Sequence, residues 1–504
     1  MAEGDVKAAS ATKLAGGLDT EAEVNIEDFR GDSATDDISR QAMMKSLVDI
    51  EQKEEPASWN GILRKGWSGN GGSLSDAWLT SACAQIGQVM LALPHAISLM
   101  GLRAACVIIP CYTLFSMWTM HLLNALYVEY KARKMKEGSW VPGRAVQYYD
   151  VAGYLVGRWA GAFTLLITVI SLFSTSIAQI VATSTGFYYI VPGVNKLYWA
   201  LVWGGILTFF FSLIPSFRHF RVFNIIGLVG TAFTAVFIIV SAGKTGLQGE
   251  AFYLGPKNMQ SFFLGTNIAQ NAWGGHTMSF EVMDAMFRPS RYDSTYPLSY
   301  LFTYFVTVPH SILTQLAWPL SNAQQGNVFG VVPNNAARDV SIILMVIHEC
   351  IAYAIYITPV FFMWEKLIGT HYKTNWIRLP SRLPVAFVVW LIALLFPFYD
   401  TINAIMGAFG NGFTAFVFPA VYHMWVYRSA EARAACLKPP PRWIGGWTGA
   451  FLINAMIASY FLTFGVGFGI WAALKNLVDN INKYSVFANC YQCADIVKTN
   501  SLTG

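Results

Sequence analysis

Trp273-Gly274-Gly275-His276 interrupts residues 261–287, which are otherwise apolar enough to cross a bilayer, and Glu281 follows five residues on. Glycine is the weakest common helix former after proline, and an ionisable side chain at membrane depth is expensive unless it faces protein or water. Two glycines beside an imidazole therefore predict a helix broken at mid-membrane. Half-helix ends expose backbone groups to a solute, and an N-terminal end carries partial positive charge suited to an anion. An imidazole with an ordinary pKa of about 6.5 can load a proton from an acidic exterior and release it to a neutral interior. The competing reading is a neutral His276 that braces the break through backbone hydrogen bonds. Glu281, roughly 8 Å further along a helical rise, reads either as the next step for a proton or as an acceptor for a neighbouring helix.

A second interruption stands near the start of the chain, at Ala84-Gln85-Ile86-Gly87-Gln88. Gly87 alone reads as a small packing residue and the glutamines as interhelical hydrogen bonders. Two polar, glycine-containing breaks at matching places in two halves are instead a pointer to a solute site at the midplane. The expected solute contacts are Gln85, Ile86, Gly87, Gln88, Trp273, Gly274, Gly275 and His276. His276, Glu281 and His348 are the expected proton carriers. His348-Glu349 is a further titratable pair within an apolar stretch, and Gln179 is expected to face the same site.

The elements that must position these residues are membrane helices. The 504 residues are 54% hydrophobic and 12% charged, about half the charge of a soluble protein. Mean hydropathy is +0.42. Residues 1–60 hold fourteen acids against six bases, which leaves the remainder strongly basic. Residues 1–70 therefore read as a solvated acidic tail, with one short amphipathic helix over Ile38–Ile50 and no cleaved leader. On a ruler of about 20 residues per crossing, about eleven spans follow: 75–100, 101–130, 159–190, 198–214, 222–243, 261–287, 294–320, 340–365, 383–398, 402–427 and 447–474. Lys and Arg crowd every second loop, as at Lys131–Arg144, Lys366–Arg382 and Arg428–Arg442. That alternation predicts a cytoplasmic N-terminus and an extracellular C-terminus. The membrane domain is expected over 71–475 and an extracellular tail over 476–504.

Other chemistry finds no support. Nucleotide-binding, zinc-protease and nucleophile-elbow motifs are missing, as are nucleic-acid-binding ones, so an ion gradient is the expected energy source and no enzyme activity is expected. The seven cysteines are scattered apart from Cys490-x-x-Cys493, which is compatible with a disulfide without requiring one. No metal or organic cofactor is expected, the lipid bilayer is the expected surrounding, and a monomer the expected state.

Several strings in order resemble the auxin influx carriers of the amino acid/auxin permease family. They include Gln85-Ile86-Gly87-Gln88, Leu126–Arg133, Gly274-Gly275-His276 with Glu281, Asn335–Asp339, Trp364–Gly369 and Phe487–Cys493. The resemblance implies an all-α polytopic fold of the LeuT type. That fold is a 5+5 inverted repeat with helices 1 and 6 broken, here with one extra helix. It also implies import of indole-3-acetic acid together with protons across the plasma membrane. The chain departs from the family's usual residues at Ala84, Asp284 and Glu349, where Asn, His and Gln are common. A proton-coupled amino acid permease is the alternative within transport, and a carrier-like receptor that does not transport is the alternative outside it. An imidazolium at His276 would repel a substrate ammonium, which favours the acid.

Overall fold

The computed structural model describes residues 72–87, 89–140, 145–214, 221–249, 255–286, 288–489 and 491–493. The expected acidic tail with its short helix, Gln88 and Cys490 lie outside the described residues. The regular elements among the described residues are all helices, with no strand among them.

Helix α1 (Leu74–Ile86) begins with a capping box in which the Ser73 hydroxyl accepts the Asp76 N–H and the Asp76 carboxylate accepts that of Ser73. It meets α2 (Val89–Met100) at a bend of 45°. Then come α3 (Leu102–Lys136), the short α4 (Tyr148–Leu155), α5 (Arg158–Ile190), α6 (Lys196–Ser212) and α7 (Arg221–Thr245). The second interrupted segment is α8 (Met259–Ala272) followed by α9 (Ser279–Ala285). After it run α10 (Tyr296–Ala317), α11 (Ala336–Leu367), α12 (Asn375–Leu395), α13 (Tyr399–Val426) and α14 (Gly446–Tyr484). Length and hydropathy qualify seven of these helices as membrane spans, or eight if α1 and α2 form one bent crossing. The other expected crossings fall on α6, on α8 with α9, and on α10. The first is short, the second is interrupted, and α10 turns Thr303, Thr307, His310, Thr314 and Gln315 into the interior.

Packing explains the composition. α2 lies along α8, while α5 and α7 lie along α11. Large apolar side chains such as Leu114, Phe209 and Phe305 point outward, the surface a bilayer would cover. One basic loop is tied down from within. Glu365, fully buried at the end of α11, accepts from Arg382 Nε at 2.6 Å and Arg378 Nε at 2.9 Å, and its other oxygen lies 2.8 Å from His371 Nδ1.

At the other end of the bundle, α14 runs on to Tyr484, past the boundary expected at 475. The following segment straps back over the bundle. Lys196 Nζ donates to the Tyr491 and Gln492 carbonyls, the Gly326 N–H donates to Gln492 Oε1, and the Tyr491 hydroxyl donates to Asp400. Cys493 is disulfide-bonded.

Candidate binding site between the broken helices

The first break follows from Gly87, beyond which the helix does not continue in line. Just before it, the Ala84 carbonyl accepts the Tyr356 hydroxyl at 2.5 Å, and Gln85 Oε1 accepts the Thr303 hydroxyl at 3.1 Å. Neighbouring helices thus supply partners that a broken helix cannot, as membrane depth requires. The second break is longer. α8 stops at Ala272, Gly275 takes a left-handed φ of 96°, and His276–Met278 make one 3-10 turn before the seven-residue α9. The orphan carbonyls are again met from outside. Trp273 O accepts the Ser116 hydroxyl at 2.9 Å, and Gly274 O accepts the Tyr300 hydroxyl at 3.2 Å.

The two breaks face one cavity. Gln85 and Gly87 line it from one side, Gly274, Gly275 and Thr277 from the other. Ser171, Thr175 and Gln179 of α5, Asn271 of α8, Tyr356 of α11 and Asn411 of α13 add to the wall. No charged side chain is among the lining residues. The Gln85 carboxamide spends its oxygen on Thr303, which leaves its NH2 as a donor beside Gly275, while Gln179 Nε2 stands beside Gly87. Asn411 Nδ2 donates to Asn271 Oδ1 at 2.8 Å, and Asn271 Nδ2 donates to Asn403 Oδ1 at 2.9 Å, so a chain of amides crosses from α8 to α13. Room for the centres of water-sized spheres is about 20 Å³, roughly one water's worth. Ligand pockets usually run to hundreds of cubic ångströms. This conformation is therefore closed around the site, and a solute enters only after the helices part.

Four of the expected contact residues, Gln85, Gly87, Gly274 and Gly275, come together here. Ile86 and Trp273 are fully buried but do not line the cavity, and the Trp273 ring packs near Tyr304. His276 is also fully buried and turns away from the cavity. Its Nε2 lies 3.0 Å from the Thr119 hydroxyl and its Nδ1 3.5 Å from the Tyr300 hydroxyl. Glu281 sits apart, accepting at 3.2 Å from Gln147 Nε2, whose own oxygen accepts from Lys366 Nζ at 3.0 Å. His348 backs the first break, with Nδ1 3.8 Å from Cys83 Sγ and Nε2 close to Gly87.

Residues 70–464 match the transmembrane amino acid transporter protein family. Auxin transporter-like protein 4 of Medicago truncatula is 35% identical over 89% of this chain and 92% of its own length. Auxin transporter protein 1 of Arabidopsis thaliana is 34% identical over 84% and 87%, respectively. Auxin transporter-like protein 2 of Oryza sativa subsp. japonica is 33% identical over 84% and 88%. The chain belongs to the amino acid/auxin permease family.

A permease needs a solute site rather than a catalytic constellation, and the cavity has that character. Sequence reasoning missed Asn271, Asn411 and Tyr356 in this permease. Two of the three carry a readable signal. Asn411 sits between Gly410 and Gly412 in an apolar span, and Asn271 closes an amide run, Asn267, Gln270 and Asn271, just before the Gly-Gly break. Around Asn411 the helix widens to π geometry over Met406–Val417, a distortion frequent at functional sites. Tyr356 gives no such signal, since this permease is rich in tyrosine.

Proposed function

We propose that the protein is a proton-coupled symporter that imports indole-3-acetic acid across the plasma membrane. The observation that carries the reading is the neutral, donor-rich cavity between the two breaks, in a chain whose relatives are named auxin transporters. An arylacetic acid has an ordinary pKa of about 4, so its anion dominates even in a mildly acidic exterior. A negative interior opposes that anion by about 2.3 kcal/mol per 100 mV. Accumulation then requires protons to accompany it. Gln85, Gln179 and the N-terminal end of α2 offer hydrogen-bond donors to a carboxylate without a fixed cation that would trap it.

His276 is the coupling residue in this reading, and its two hydroxyl partners suit the role. Each hydroxyl can donate or accept, so the ring stays satisfied as imidazole or imidazolium. Because the Tyr300 hydroxyl also reaches Gly274 O, a change of charge on the ring is felt at the second break. Glu281, tied through Gln147 to Lys366, gives the proton an exit on the basic-loop side. His348 is the further candidate beside Gly87.

The full arrangement we infer is eleven crossings as a LeuT-type 5+5 repeat plus one, in a monomer, with the N-terminus inside and the C-terminus outside. The alternating basic loops support the orientation, and the disulfide at Cys493 suits an oxidising exterior. A test of the substrate is counterflow in proteoliposomes. Internal indole-3-acetic acid should drive entry of labelled indole-3-acetic acid, while internal tryptophan should not. Equal or better counterflow with tryptophan would establish the amino acid permease instead.

A further inference from the structure

We propose that Glu349 of α11 is a second proton-binding site of the carrier, buried beside Thr183 of α5 and near Tyr399 of α13. Glu349 is 1% exposed, and neither carboxyl oxygen has a hydrogen-bond partner among the described residues. The buried Thr183 hydroxyl is its polar neighbour, acting on the carboxyl without meeting full hydrogen-bond geometry. Thr183 lies one turn from Gln179 on α5, so the two share a helix face. Gln179 lines the binding cavity, and its Oε1 is likewise buried and unpartnered. A row of unsatisfied polar atoms thus leads from the solute cavity to a carboxyl group. Buried polar atoms are almost always paired, so such a row calls for an explanation.

The neighbours exclude a structural ion pair. The titratable groups that act with Glu349 are the Tyr399 phenol across the interface and the Cys350 thiol on its own helix. His348 points elsewhere, toward Cys83 of α1 and the backbone of α7 at Gly227. The remaining neighbours of α11, namely α6, α7 and α12, carry their titratable residues only near their ends. Among the described residues no cation faces the carboxyl, and an unpaired carboxylate in a dry interior is far costlier than the acid. In the closed state the group therefore holds its proton. When the helices part and the row is wetted, the carboxyl O–H bond breaks toward the inside, and the carboxylate takes a new proton from outside in the next cycle.

This inference rests on the proton-coupled reading above and adds a charge to it. One proton carried with the anion would be electroneutral, whereas a second makes each cycle inward-positive. Glu349→Gln keeps the shape but cannot titrate. In proteoliposomes the unaltered carrier should show substrate-dependent inward current, and E349Q should lose that current while uptake still follows an imposed pH gradient. Glu349→Asp should restore part of the current. E349Q with unchanged charge per substrate would overturn the inference, as would a wild-type current that follows sodium rather than acid. Uptake by the unaltered carrier that ignores pH would instead refute the proton-coupled reading itself. If E349Q fails to fold, a hydrophobic carbodiimide, which attacks protonated buried carboxyls, decides the matter on the unaltered protein. Mass spectrometry should find Glu349 labelled at acidic pH with parallel loss of current, and an unlabelled Glu349 in acid refutes the proposal.

Discussion

Gly274→Ala tests whether the second break and α13 are locked together as the structure shows. A β-carbon at Gly274 would sit 2.3 Å from Asn411 Nδ2 and 2.7 Å from its Cγ and Oδ1. Ordinary contact begins near 3.4 Å, so the carboxamide must retreat by about 1 Å. Retreat breaks its bonds to Asn271 Oδ1 at 2.8 Å and Asn271 O at 3.3 Å. Each net hydrogen bond is worth about 1 kcal/mol. Residual overpacking adds about 1–2 kcal/mol. The total comes to roughly 3–4 kcal/mol, and if half of it is felt at the cavity, substrate affinity falls about ten- to thirtyfold. Thermal unfolding of the purified carrier, with and without indole-3-acetic acid, reads both effects. The decisive comparison is a double-mutant cycle with Asn411→Ala, which removes all three clashing atoms. The double variant should be no less stable than Asn411→Ala alone. If the two penalties simply add, Gly274 and Asn411 are not in contact and the closed geometry is wrong.

His276→Ala should abolish acid-driven accumulation while folded carrier still reaches the membrane, and His276→Gln should keep part of the binding yet lose the response to external pH. A Gln variant with intact acid stimulation moves the proton site elsewhere, first to Glu281 or His348. Replacing both cavity donors, as Gln85→Leu with Gln179→Leu, should weaken substrate binding by about 1–3 kcal/mol, seen as a raised KM with normal surface expression; an unchanged KM removes them from the site. A tag after Gly504 should be reached by antibody on intact cells and one before Met1 only after permeabilisation; equal access to both means a miscounted crossing.

The broken helices were legible because glycine, amide and imidazole are costly in a span, and such costs show in a sequence. Gln85, Gly87, Gly274 and Gly275 line one cavity between the two interruptions. The direction of a side chain was less legible. His276 follows the left-handed Gly275, and the 3-10 turn that begins there swings its ring to Thr119 and Tyr300 rather than toward the cavity. Ile86 and Trp273 belong to the breaks but are buried in the interior away from the cavity, since neighbouring positions on a helix face different ways. Asn411 and Tyr356 come from distant segments, α13 and α11, and only tertiary packing brings them to the cavity. The hydropathy ruler is a weaker guide at α6, which is short, and at α10. It counts residues without seeing that the polar ones in α10 face inward.

Accumulation in sealed proteoliposomes tests proton-coupled import most directly. With an acidic exterior, a negative interior and no sodium, labelled indole-3-acetic acid should rise inside above its external concentration, and collapsing the pH gradient with a protonophore should release it. Accumulation that survives the protonophore, or that appears only when sodium is supplied, would contradict the account.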